Sequence, residues 1–156
     1  MFNRKIRGLS LAGAVAGAMV ASTAAFAGSC PADKMGVDVT RPSTMAAKDV
    51  TDNVLSMIDL SKEKVGIDRK FRLRQLVVQP GGVVPWHSHG DRPAIIYIVS
   101  GEITEFASNC AVPIVHKAGD VAPETKATSH WWQNMGKTAA VLLSADLLMD
   151  EKDHTM

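Results

Sequence analysis

Gly81-Gly82-Val83-Val84-Pro85-Trp86-His87-Ser88-His89-Gly90 is the stretch on which the fold turns. It sets two histidines one residue apart in a short apolar run with the length of a strand, closed at both ends by glycine turn chemistry. Successive strand side chains point to opposite faces, so His87 and His89 share one face and Trp86 takes the other. Two adjacent imidazoles suit a divalent metal ion. The spacing alone suits a surface pair hydrogen-bonded to water equally well, so the surroundings have to decide.

Working outward, Phe71-Arg72-Leu73-Arg74-Gln75-Leu76-Val77-Val78 alternates apolar with polar residues before turning wholly apolar, and Pro80-Gly81-Gly82 is expected to end it. The alternation puts Arg72 and Arg74 on one face, expected as a solvated or subunit-facing stripe. Beyond His89 come Ala94 to Val99, Ile103 to Phe106, Val112 to Val115, His130 to Gln133 and Ala139 to Leu143, separated by turns such as Ser100-Gly101 and Ala118-Gly119-Asp120. Short strands at this spacing, with no helical period between them, indicate an all-β sandwich or barrel. Leu147-Leu148-Met149 is expected to close the sheet or pack on a neighbour.

The rest of the chain frames this unit. A basic opening, Asn3-Arg4-Lys5-Ile6-Arg7, an apolar run from Leu9 to Ala25 and a small-residue Ala25-Phe26-Ala27 site make residues 1–27 a secretory signal peptide. An uncleaved anchor is the alternative, since the run approaches the roughly 20 residues a membrane span needs. Residues 28–60 are expected to form an N-terminal arm, in which Val54 to Leu60 suits helix or strand. Residues 61–149 make the barrel domain and 150–156 a flexible tail. The full 156 residues carry 17 basic against 16 acidic side chains, but without residues 1–27 the balance is 14 to 16. That excludes a polybasic nucleic-acid binder. After cleavage no membrane segment is expected, and the location is periplasmic or secreted. Cys30 and Cys110 both lie in the exported part, where a disulfide between them is expected.

Gly81, His87, His89 and Gly101 stand at the spacing of G-x5-H-x-H-x3,4-E-x6-G, and Gly119, His130 and Asn134 at that of G-x5-P-x-G-x2-H-x3-N. These two frames resemble those of the cupin superfamily over about residues 70–146. The resemblance implies a cupin-type jelly-roll β-barrel as a single domain, in agreement with the strand pattern. This chain departs from it where the motif glutamate would stand, at Ala94, and where Thr125 and Ala127 replace a proline and a glycine.

The resemblance implies a metal site of His87, His89 and His130 without the usual carboxylate, open to Fe, Mn, Ni, Cu or Zn. Glu105 shares the face of Ile103 and is a candidate general base, or else a rim residue in solvent. Arg92, just after the histidine pair, is a candidate clamp for a substrate carboxylate at the barrel mouth, or else holds its own turn. Ile96, Ile98 and Trp132 are expected to point inward and wall a small-molecule pocket. His116 and His154 belong to neither motif and are expected in solvent. The outward residues Trp86, Tyr97 and Trp131 suggest a homodimer. Two functions follow: a dioxygenase-like metalloenzyme, with isomerase or lyase chemistry open, or a non-catalytic exported module that binds a small molecule or a metal.

Overall fold

The computed structural model describes residues 28–149, so the expected signal peptide, the tail from 150 to 156 and His154 lie outside the described residues. The chain is nearly all β. Its strands are β1 (Lys48–Asp59), β2 (Lys70–Ser88), β3 (Ala94–Ser100), β4 (Glu102–Ala107), β5 (Ile114–Lys117), β6 (Val121–Glu124), β7 (Ser129–Gln133) and β8 (Ala140–Leu148). They pair in the order β5-β4-β7-β2-β8-β3-β6, with β1 added on β2, and every pairing is antiparallel. The sheet curls into a nearly closed jelly-roll barrel around Val78, Val84, Ile98, Ile103, Trp132 and Leu142. No helix among the described residues is long and apolar enough to cross a membrane.

Three local expectations change. Pro80-Gly81-Gly82 does not end a strand: β2 runs through it. There β2 passes from pairing with β8 to pairing with β7. Gly81 takes φ +78, and a Cβ on Gly82 would lie 2.8 Å from two backbone oxygens, so only glycine fits this bend. Residues 48–59, expected within an arm, are a strand of the sheet. The long edge of β2 offers unpaired N–H and C=O groups, and that pairing settles a segment whose own apolar pattern is ambiguous. The sequence pattern holds no strand over 121–124, which Pro123 interrupts, yet β6 forms there at the end of the pairing order, where a proline leaves no ladder bond unmade.

The segment before β1 is strapped along the barrel. Gly36 N–H donates to Asn109 O, Val39 N–H to Ser108 O, and Met35 bridges Cys110. The Cys30–Cys110 disulfide fixes this strap across a sequence separation of 80 residues, with Cys110 fully buried. Closing so long a loop should stabilise the fold by roughly 4 kcal/mol. Reduction, or the Cys30→Ser/Cys110→Ser variant, is therefore expected to lower the thermal midpoint by roughly 10–15 °C. A midpoint that stays put in scanning calorimetry would show that the strap holds without its covalent link.

The basic stripe of β2 points the opposite way from expectation. Arg72 and Arg74 are 3% and 6% exposed, whereas Phe71 on the alternate face is 43% exposed. Arg72 forms two parallel bonds to Asp146 (2.9 and 2.7 Å), and Arg74 pairs with Asp52. Alternation alone cannot say which face is inward. Here two carboxylates inside the sheet make the basic face the buried one.

Candidate metal centre

β2 and β7 bring the three motif histidines together. His87 pairs directly with His130 across the two strands, and His89, two residues on, shares their face. The three Nε2 atoms converge: His87 to His89 is 3.1 Å, His89 to His130 is 3.0 Å and His130 to His87 is 3.1 Å.

The opposite ring atoms decide the protonation. Nδ1 of His87 lies 2.9 Å from Pro85 O, Nδ1 of His89 lies 2.8 Å from Arg92 O, and Nδ1 of His130 lies 2.7 Å from Glu105 Oε1. Each of these three oxygens only accepts, so each Nδ1 carries the proton and donates it; Trp132 Nε1–H, 3.1 and 3.3 Å from Nδ1 and Nε2 of His130 with the ring planes at 77°, meets that ring edge-to-face rather than claiming one lone pair. The Nε2 atoms are then lone pairs aimed at one another. Their close approaches are therefore not hydrogen bonds. Burial lowers His87 to about 2 and His89 to about 4, with the neighbouring His130 adding to the effect, so neither of these two rings takes up a second proton at neutral pH. Three convergent lone pairs about 3 Å apart fit ligands lying roughly 2.1 Å from one ion. Among the described residues no carboxylate joins this group, as Ala94 implied.

Behind His130 lies a second set of buried polar groups. Glu105, 4% exposed, bonds His130 through one oxygen and His116 Nε2 through the other at 2.8 Å. Burial alone would raise its carboxyl, but the bonds from His116 and His130 outweigh this and hold it at about 2. Glu105 is thus neither at the rim nor aimed at the Nε2 cluster; it orients the ring of His130. His116, expected in solvent, is 1% exposed and packs against Trp132. The signal for it was present in the alternation from the inward Ile114, which places His116 on the inner face of β5.

Glu124 stands across from Ala94 on β6 and lies 3.6 Å from His130 Nδ1. With Glu105 and His130 it forms a second group close enough to share an ion. Burial raises Glu124 to about 7; His130 opposes this and the charge of Glu105 adds to it. The folded protein keeps this proton to higher pH than the unfolded chain, so its stabilisation is complete below about pH 4.5 and is lost as pH rises through about 7. In metal-free protein, Glu124→Gln is expected to flatten that slope and raise stability at pH 8 by about 2–3 kcal/mol. Urea midpoints from pH 5 to 8 measure it, and parallel curves for the two proteins would count against a buried neutral carboxyl.

Ile96, Ile98 and Trp132 are buried as expected, and Ile96 and Trp132 line a small cavity beside the histidines. Trp131 lies half-buried, stacked on Phe106 with 4.0 Å between ring centroids. Arg92, in the loop between β2 and β3, is 3% exposed, with its Nε 4.0 Å from Asp146 Oδ2. The second-motif asparagine is structural: Asn134 Nδ2 donates to Val78 O and Thr138 O at 2.8 Å each.

Comparison with known proteins agrees with this architecture. The cupin domain model matches residues 74–146. A Klebsiella pneumoniae protein with a double-stranded β-helix domain superposes with TM-score 0.54 at 19% identity, covering 72% of this chain and 85% of that one. The Schizosaccharomyces pombe Cnp3 cupin domain gives 0.51 at 16%, covering 67% of this chain, which spans 65% of that domain's length. A predicted oxalate decarboxylase from Thermotoga maritima gives 0.48 at 26%, covering 67% of this chain and 99% of that one. No curated protein matches by sequence. The first two likenesses establish shared fold and nothing about activity.

Proposed function

Since the chain belongs to the cupin superfamily, we propose that it holds one divalent transition metal ion on His87, His89 and His130 and acts on a small molecule as a dioxygenase-like enzyme. The observation that carries this reading is the convergence of three Nε2 lone pairs whose rings have already committed their protons elsewhere. Neither packing nor water binding calls for that arrangement. A bound ion would act as a Lewis acid toward an oxygen ligand in the positions the histidines leave open.

The protein's own residues set the stage for it. Two backbone carbonyls lock His87 and His89, while Glu105 locks His130 and makes that imidazole a stronger donor. Both Glu105 oxygens are engaged, so its part is positioning rather than general-base catalysis. Ile96 and Trp132 keep bulk water from the ligand face. A second reading, an exported module that binds a small molecule or metal without turnover, is favoured by Ala94, since three neutral ligands hold an ion less firmly than three plus a carboxylate. The disulfide, more typical of exported proteins, supports a periplasmic or secreted location.

Elemental analysis of the purified mature protein tests the site: about one equivalent of Fe, Mn, Ni, Cu or Zn is expected. Oxygen uptake by the loaded protein with candidate small molecules separates enzyme from module. Protein that retains no ion after incubation with these metals would dismiss the enzyme and leave only a module that binds a small molecule.

A further inference from the structure

We infer that Arg74 is the anion-binding residue of this site, and that the ligand held beside the three histidines is a short-chain monocarboxylate. The inference rests on the metal-centre reading above and names the substrate class that centre would take.

Its first support is the cavity. A small cavity adjoins the histidines, with His87 and His89 in one part of its wall and Arg74 and Ser144 in another. That is room for only a very small ligand. Leu76, Val84, Ile96 and Leu142 make up much of the remaining wall. A second charged group on the ligand would have no partner among them, which disfavours a dicarboxylate or an amino acid.

Its second support is an unmade bond. Arg74 is 6% exposed and commits Nη1 to Asp52, while Nη2 lies 3.3 Å from Asp146 and 3.4 Å from Ser144 Oγ. Its Nε–H is buried without a hydrogen-bond partner. A buried donor left unmatched is costly, and a carboxylate oxygen in the cavity would satisfy it with a charge-assisted bond. Asp52 and Asp146 already balance much of the guanidinium charge. The pull on an anion therefore comes mainly from the ion, and Arg74 supplies the directed donor that selects a carboxylate.

Its third support is the ligand set. Three neutral imidazoles leave the full charge of a divalent ion uncompensated, so an anion is preferred over a neutral molecule of the same shape. Arg92, expected at the mouth for this role, is not in the wall of this cavity.

Calorimetric titration of the metal-loaded full-length mature protein with acetate, and separately with its neutral isostere acetamide, tests the proposal. Acetate is expected to bind at least about 10-fold more tightly. Arg74→Met combined with Asp52→Asn removes both halves of the ion pair and is expected to weaken acetate by roughly 10- to 100-fold, with metal content unchanged. Arg74→Lys keeps the charge but loses the Nε donor; it should show a similar loss and serves if the double variant fails to fold. Equal affinities for acetate in all metal-loaded forms, or acetamide binding as tightly as acetate, would overturn the role of Arg74 while leaving the metal centre standing. Wild-type protein that takes up no metal would instead remove the centre, and this inference with it.

Discussion

Replacing His130 by alanine is expected to cut bound metal from about one equivalent to below about a tenth, because three ligands become two and neither remaining imidazole can close the site alone. His130 is also the one histidine whose Nδ1 holds a carboxylate: its removal leaves Glu105, 4% exposed, with only His116 as partner. A destabilisation of about 1–3 kcal/mol is expected alongside the loss of metal. Glu105→Gln supplies the contrast. It keeps the shape but weakens the grip on His130, so metal affinity should fall only about 10- to 100-fold. Elemental analysis after dialysis against a weak chelator ranks the two variants. If His130→Ala kept a full equivalent, the ion would sit elsewhere and the convergence of the three rings would need another cause.

The second large effect concerns stability. Asp146→Ala should destabilise the fold by about 3–5 kcal/mol, because it removes the acid around which buried guanidinium groups gather. Asp146 receives two bonds from Arg72, lies 3.3 Å from Arg74 Nη2 and 4.0 Å from Arg92 Nε, and is itself 1% exposed. Its value lies in matching those charges rather than in net attraction, so cutting away one sign costs more than the pair contributes. Urea unfolding of metal-free protein gives the figure. A change below about 1 kcal/mol would mean that water reaches the arginines and the cluster is not sealed.

Much of the site could be read from residue order alone. His87 and His89 share a face through the two-residue period of a strand, and the glycine at 101 marks a turn that a side chain would block, since a Cβ there would lie 2.5 Å from Ala139 O. The pairing of Cys30 with Cys110 also matched the expectation drawn from compartment. What could not be read was direction and partnership across strands. Alternation puts Arg72 and Arg74 on one face but cannot say that this face is the inner one, because their carboxylate partners lie 74 and 22 positions away in the chain. The alternation from Ile114 puts His116 on the inner face of β5, but its partner Glu105, which reaches it across β4 and β5, has no local signal.

Beyond the resemblance, which alone implied that His130 joins them, the chain's order of residues determined which side chains alternate along a strand, that the backbone turns at Ser100-Gly101 and that His87 and His89 face a common side. These follow from local geometry, which repeats every two residues and needs no distant partner. Only the tertiary structure decided that each Nδ1 is tied down, that a guanidinium shares the histidines' cavity and that β2 carries β1 along its edge. Those outcomes depend on which buried groups can satisfy one another's charges and hydrogen bonds, a condition that arises only once the sheet has closed.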